Sequence, residues 1–239
     1  MRTPKMIFFD YGQTLVSEAA FDGVRGTAAV MRYAVSNPRR LTPQAIQREA
    51  NAINRELGRL EPSTRHLLHT EVPNSIFQAY LYGSLGISFS ISQAEVERIF
   101  WSHAIPTEPT EGIAELLQAL SVKGIRTGVI SNISFSGAAL CEKLAQLLPE
   151  ASFECVITSS DYLFRKPNRR IFELALEKAG LPAEEVWFCG DDLQCDILGA
   201  QACGIVPVWY TGAYTPPEQA DDPGLQIRHW DELRALLAL

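Results

Sequence analysis

The stretch FFDYGQTLV, residues 8–16, decides how the rest of the chain is read. An apolar run that begins at Met6 stops on the carboxylate of Asp10, and Gly12, Gln13 and Thr14 follow at once. A short apolar strand ending on an acid either closes with a turn residue or delivers a carboxylate to a site. What lies beyond the strand chooses between the two.

No further strand is predicted before residue 126, and a helical texture takes over. Phe21, Val24, Ala28, Met31 and Val35 recur at spacings of three and four, as do Ile46, Ala50, Ile53, Leu57 and Leu60. The second of these runs starts at Thr42-Pro43, a capping hydroxyl followed by the proline that suits the first helical position. A third helix is predicted over 64–86 from Leu67, Leu68, Val72, Ile76, Tyr80 and Leu81, with Pro73 kinking or dividing it. Ser92 to Glu95 form a capping box ahead of Val96, Ile99 and Phe100. Four amphipathic helices in a row predict a small bundle.

IPTEPTEG, residues 105–112, reads as a hinge, and after it the texture changes. Short apolar strands are predicted at 126–131, 153–158, 185–190 and 205–210, separated by helices at about 111–123, 136–148, 168–180 and 194–203. The strands are apolar on both faces, as parallel strands covered by helices must be. Repeated βα units predict an α/β fold with a doubly wound parallel sheet. The strand at 6–10 belongs in that sheet, so the chain divides into a core of residues 1–15 and 106–239 and an inserted helical unit at 16–105. Residues 211–224 form a polar, proline-rich loop, and a helix closes the chain.

Composition excludes several classes. The chain has 239 residues, 46% of them hydrophobic, and a net charge of −7, which favours neither nucleic acid nor an anionic membrane as partner. No apolar run approaches the roughly 20 residues of a membrane span, and the first ten residues lack a signal peptide's apolar stretch. Five cysteines without a C-x-x-C pair read as small buried hydrophobes in a reducing compartment, so a cytoplasmic location is expected. Their spacing does not suit zinc.

In an open parallel sheet, ligands bind beyond the carboxyl ends of the strands. Asp10 and Thr14 follow the first predicted strand, and Ser131 and Asn132 the second. Arg165-Lys166-Pro167 follows the third; Gly190, Asp191, Asp192 and then Asp196 follow the fourth. Each feature alone is an ordinary turn, cap or surface residue. All four, in order and each after a different strand, make a crevice of carboxylates, a hydroxyl and an ammonium. Phosphoryl transfer needs such a set: a nucleophile in line with phosphorus and positive charge about its oxygens. Asp10 would attack to form an aspartyl-phosphate, and Asp10 with Asp191 would hold Mg²⁺. Lys166 would be the fixed cation, Ser131 would bind phosphate oxygens, and Asp196 would orient Lys166 or a metal-bound water.

These segments resemble the haloacid dehalogenase-like (HAD) superfamily, most of whose members are Mg²⁺-dependent phosphatases. FFDYGQTL resembles its D-x-D-x-T motif, GVISN its second, RKPNRRIFELAL its third, and FCGDDLQCDILGAQACG its fourth. The resemblance spans residues 6–15 and roughly 106–210. It implies a Rossmann-like core with a helical cap inserted after the first motif, matching the unit read at 16–105. By motif position it implies catalytic roles for Asp10, Ser131 and Lys166, and substrate contacts from Thr14, Ser131, Asn132 and Lys166. It further implies metal ligation by Asp10, the Gly12 carbonyl and Asp191, supported by Asp192 and Asp196. A small phosphorylated metabolite is the expected partner.

Gly12 departs from the pattern. Phosphatase members carry there an aspartate that protonates the leaving alcohol and then activates water, a service worth roughly 10²–10⁴ in rate. The expectation is a slow enzyme, one limited to good leaving groups, or one borrowing an acid from the cap, where Arg25, His66 and His69 are candidates. Gly12→Asp is then expected to raise activity on poor leaving groups. Two rivals remain: a weakened relative that binds a phosphorylated ligand or a partner without turnover, and a metal-free dehalogenase, which Gly190-Asp191 disfavours. A phosphonatase would need a cap lysine, and residues 16–105 hold none.

Overall fold

The computed structural model describes residues 3–60, 69–213 and 224–239. Its centre is β1 (Met6–Phe9), whose four side chains are all buried. It pairs in parallel on one side with β6 (Arg126–Ser131) and on the other with β8 (Val186–Gly190). With β7 (Cys155–Thr158), β9 (Val206–Tyr210) and β10 (Leu225–Ile227), the sheet runs in the order β10-β9-β8-β1-β6-β7.

Because side chains alternate along a strand, Ile7 and Phe9 enter one core while Met6 and Phe8 enter another on the opposite face. The first core takes α5 (Ile113–Lys123), α6 (Gly137–Leu147) and α10 (Trp230–Leu237). The second takes α8 (Arg169–Ala179) and the short α9 (Gly199–Ala202), while the one-turn α7 (Ser159–Tyr162) follows β7 directly. A sheet covered by helices on both faces is the doubly wound α/β fold that the βα texture predicts. The chain turns away from β1 in both directions, so β1 is the topological switch point, where open sheets form crevices.

Four described helices occupy residues 23–104. They are α1 (Gly23–Met31), α2 (Pro43–Glu56), α3 (Asn74–Ser84) and α4 (Gln93–Ala104). α1 packs on α2 and α4, and α3 packs on α4. The caps fall where the sequence puts them: the Thr42 hydroxyl accepts the Ala45 N–H, and Ser92 and Glu95 close their capping box.

The helical faces differ from the periodic reading. Phe21 and Val35 lie outside α1 and are exposed, and Gly26, Thr27, Ala29 and Val30 form its buried side. α3 begins after Pro73 and exposes Ile76 and Tyr80, burying Asn74, Gln78, Leu81 and Tyr82. Polar residues on the inner face conceal the period. Leu67 and Leu68, placed in the third helix by pattern, lie outside the described residues.

Strands also occur where none was predicted. β2 (Val16–Glu18) pairs antiparallel with β5 (Thr107–Pro109), so the stretch read as a hinge is one side of a ribbon. β3 (Ala34–Ser36) pairs with β4 (Ser88–Phe89). The predicted helix at 194–203 opens as a π-helical turn, Leu193–Leu198, before α9. The cysteines are all free, as expected, but only Cys189 is buried; Cys141 is exposed and the other three are half-buried. No helix among the described residues is long and apolar enough to cross a membrane.

Candidate active site

Asp10 follows β1 directly, its N–H donating to the Cys189 carbonyl of β8 at 2.8 Å. That bond continues the sheet register one residue past the strand and aims the carboxylate over the edge. Asn132 follows β6 and Asp191 follows β8, so the two flanking strands bring their terminal residues to either side of Asp10.

Lys166 enters from the loop ahead of α8 and is almost wholly buried. Its Nζ donates to Asp10 Oδ1 at 2.8 Å and to the Ile130 carbonyl at 2.9 Å, and stands 2.7 Å from Asp196 Oδ1. Burial works against the ammonium, but Asp10 and Asp196 outweigh it and hold the lysine charged. Its backbone is gripped by Asn132, whose Nδ2 donates to the Lys166 carbonyl at 2.9 Å while its Oδ1 accepts the Lys166 N–H at 2.7 Å. Asn132, expected to meet substrate, thus has both ends of its amide committed to placing Lys166.

Asp191 is set by two contacts. The Trp209 indole donates to its carbonyl at 2.8 Å, and the buried Thr14 hydroxyl donates to its Oδ1 at 3.4 Å. Thr14 therefore supports an acid, and it is not among the described residues that line the crevice. Asp192 caps the π-helical turn through the N–H groups of Gln194 and Cys195. Asp196 accepts the Asp192 N–H at 3.1 Å, and its carboxylate packs so closely under Gly190 that a Cβ there would collide with Oδ2. Only glycine leaves that space.

Asp10, Asp191 and Asp196 each offer a carboxylate oxygen, and the three oxygens lie within 4.8 Å of one another. Burial, then Asp10, then Asp196 push Asp191 up to about 8 against the pull of Lys166. Burial also holds Asp196 above the ordinary carboxylate range, with Lys166 opposing. Three acids against one ammonium leave uncompensated negative charge among hard oxygen donors, which fits a divalent cation of the Mg²⁺ type. Asp196 is buried whereas Asp10 and Asp191 are partly exposed, so those two are the pair that a cation entering from the crevice would meet.

Ser131, Asn132, Asp10 and Gly12 line a cavity of about 740 Å³ that extends towards α1, α3 and α4. A second cavity of about 720 Å³ is bordered by Asp191 and Asp192. Gln13 and Glu18 stand between the two and line both. Arg25 and His69 are exposed and are not among the described residues lining either cavity; His66 lies outside the described residues.

Glu18 was missed in the sequence. β2 has only three residues and no period to speak of, yet alternation places Glu18 on the side of the buried Val16. Pairing with Thr107 fixes that strand, and Gln13 Nε2 donates to the Glu18 carbonyl at 3.2 Å. Burial, then Asp10, push the Glu18 carboxyl up to about 7 while Lys143 opposes. Glu18 is the sole acid between Asp10 and Asp22 in the sequence, the one signal that would have flagged it.

A family model for haloacid dehalogenase-like hydrolases matches residues 4–204. The glyceraldehyde 3-phosphate phosphatase of Methanothermobacter thermautotrophicus is 34% identical over 132 residues, 54% of this chain and 57% of that protein, so the match spans little more than half of that relative. The pyrimidine 5'-nucleotidase YjjG of Escherichia coli is 25% identical over 97% of this chain and 96% of its own. A crystal structure of 2-haloacid dehalogenase from Pseudomonas syringae superposes with a TM-score of 0.65 over 99% of both chains at 20% identity, a likeness of fold. With the family model covering most of its length, the chain belongs to the haloacid dehalogenase-like hydrolases.

Proposed function

We propose that this chain is a phosphohydrolase acting on a small phosphorylated metabolite, with Asp10 as nucleophile. The observation that carries it is Asp10 at the switch point of the sheet, hydrogen-bonded to a buried lysine and next to Asp191. The names of the two relatives, a phosphatase and a 5'-nucleotidase, support the reaction class.

Asp10 Oδ attacks phosphorus as the bond to the ester oxygen breaks, and the departing oxygen takes up a proton. Water then attacks the aspartyl-phosphate, its proton passes to a base, and Asp10 is released with inorganic phosphate. Lys166 holds Asp10 in line through the 2.8 Å bond and adds positive charge beside the phosphoryl oxygens. Ser131, at the cavity wall, binds one of those oxygens, and Asn132 fixes Lys166. Thr14 and Trp209 hold Asp191 in place; Asp192 and Asp196 order the turn and the lysine. Mg²⁺ held by Asp10, Asp191 and the Gly12 carbonyl would offset the repulsion between an anionic nucleophile and an anionic ester.

Residues 16–105 serve as a cap over a core of residues 1–15 and 106–239, and the larger cavity between them admits the substrate. Its lining includes Phe77, Tyr82 and Phe100 beside Asn54, Arg59 and Gln78, which suits a compact ligand with both apolar and polar parts.

A panel of phosphate esters, assayed with Mg²⁺ and with a chelator, tests the proposal. Phosphate release that needs the cation and disappears in Asp10→Asn is expected. No release from any ester, or halide release from a haloacid in chelator, would refute it.

A further inference from the structure

We propose that Glu18 supplies the proton-transferring carboxyl that residue 12 lacks. The assignment rests on the phosphohydrolase reading above and on where this carboxyl sits. A Cβ built on Gly12 would lie 2.8 Å from Glu18 Oε2 and 3.5 Å from its Cδ. The acid therefore fills the space into which a side chain of residue 12 would project. It arrives by another route, from β2 and not from the turn after β1.

Three features make the placement firm. The ribbon of β2 and β5 fixes the backbone of Glu18, with Glu18 opposite Thr107, and the Ala19 N–H extends it to the Pro106 carbonyl at 2.9 Å. Alternation turns the side chain inward with Val16. Its neighbours are those of a reaction centre: it lines one cavity with Asp10, Gly12 and Ser131, and the Lys143 ammonium stands near it. Lys143 itself is occupied, with Nζ 3.4 Å from the Ile105 carbonyl and over the ring of Trp101. Glu18 and Gln13 also form the wall shared by the two cavities, one bordered by Ser131 and the other by Asp191.

In the first step the protonated Glu18 carboxyl gives its proton to the ester oxygen as the phosphorus–oxygen bond breaks and Asp10 is phosphorylated. In the second, the resulting carboxylate takes a proton from water while the water oxygen bonds to phosphorus and the bond to Asp10 breaks. Alcohol and phosphate leave, and both acids return to their starting states. Gly12 is thus no defect: it makes room for an acid delivered from elsewhere.

Glu18→Gln keeps the volume and removes the exchangeable acid. An alkyl phosphate needs the proton in the first step, so its kcat should fall by roughly 10²–10⁴. An activated aryl phosphate needs no proton to depart, so the variant should release about one phenolate per enzyme in a burst and then stall as phospho-enzyme. Wild-type protein should show no such burst. Glu18→Ala must give the same split between the two esters. An alkyl phosphate rate within a few-fold of wild type would overturn the assignment. So would equal loss on both esters without a burst, the mark of a merely structural role. Wild-type protein inert to both esters would overturn the phosphohydrolase reading itself, and the assignment with it.

Discussion

Replacing Gly12 by alanine tests the crowding at the centre of the site with a single methyl group. Gly12 is not among the residues with positive φ, so its backbone accepts an L side chain. On that ground alone the change stabilises by roughly 0.4–1 kcal/mol, because alanine has less freedom to lose from the unfolded chain. Against this, the new Cβ would meet Glu18 Oε2 at 2.8 Å, about 0.6 Å inside the 3.4 Å at which ordinary contact begins. The obstacle is the far end of a flexible side chain, so the carboxyl swings away at little cost. The two effects offset, and stability should change by less than about 1 kcal/mol, a Tm shift under about 4 °C for a chain of this length. Turnover should not be spared. Misplacing a reacting group by about 1 Å costs up to roughly 10²-fold in rate, so alkyl phosphate kcat should drop by about 10- to 100-fold. Thermal unfolding followed by fluorescence, beside steady-state assays of an alkyl and an activated aryl ester, reads both. A folded Gly12→Ala protein with its alkyl ester rate unchanged would show that the position of the Glu18 carboxyl is irrelevant. The same contact reverses the expectation for Gly12→Asp. A second acid pressed against Glu18 beside Asp10 should lower activity, and Gly12→Asp should help only when combined with Glu18→Ala.

Two further outcomes follow from the charges. Lys166→Met leaves Asp10 and Asp196 without their shared ammonium, and stranding a buried charge costs about 3–5 kcal/mol, so the urea midpoint should fall and turnover should cease. A midpoint like that of wild type would mean that this cluster is solvated. The second concerns pH. Asp191, pushed up to about 8 in the folded protein, binds its proton more tightly there than in the unfolded chain. Its contribution to stability in chelator is therefore greatest in acid, and is lost as pH rises from the ordinary carboxylate range through about 8. A cation that displaces the proton should bind better as pH rises over that window, and Mg²⁺ at about a hundred times its Kd should raise Tm by about 5–10 °C. Tm measured with and without Mg²⁺ between pH 6 and 9 checks this; a gap that does not widen with pH would contradict it.

Much of the architecture is local and so legible in the amino-acid order. Met6–Phe9 is apolar on both faces, the mark of a strand covered by helices on either side, and all four of its side chains are buried. The caps at Thr42 and Ser92 are short-range chemistry, and both helices start there. Asp10, Lys166, Asp191 and Asp196 could be listed from the ends of predicted strands, since the carboxyl edge of a parallel sheet is where those ends must meet. The helical region was read less well because its inner face borders a crevice. Asn74 and Gln78 point inward while Ile76 and Tyr80 face solvent, which inverts the rule that periodicity depends on.

Residue order alone determined that an acid-rich, lysine-bearing edge would form on a doubly wound sheet. Tertiary structure alone decided that β1 is central, that Asn132 grips Lys166, and that Glu18 stands where Gly12 has no side chain. The reason is distance along the chain. Glu18 is aligned by pairing with Thr107, Lys166 by an amide at residue 132, and such contacts leave no trace in a local pattern.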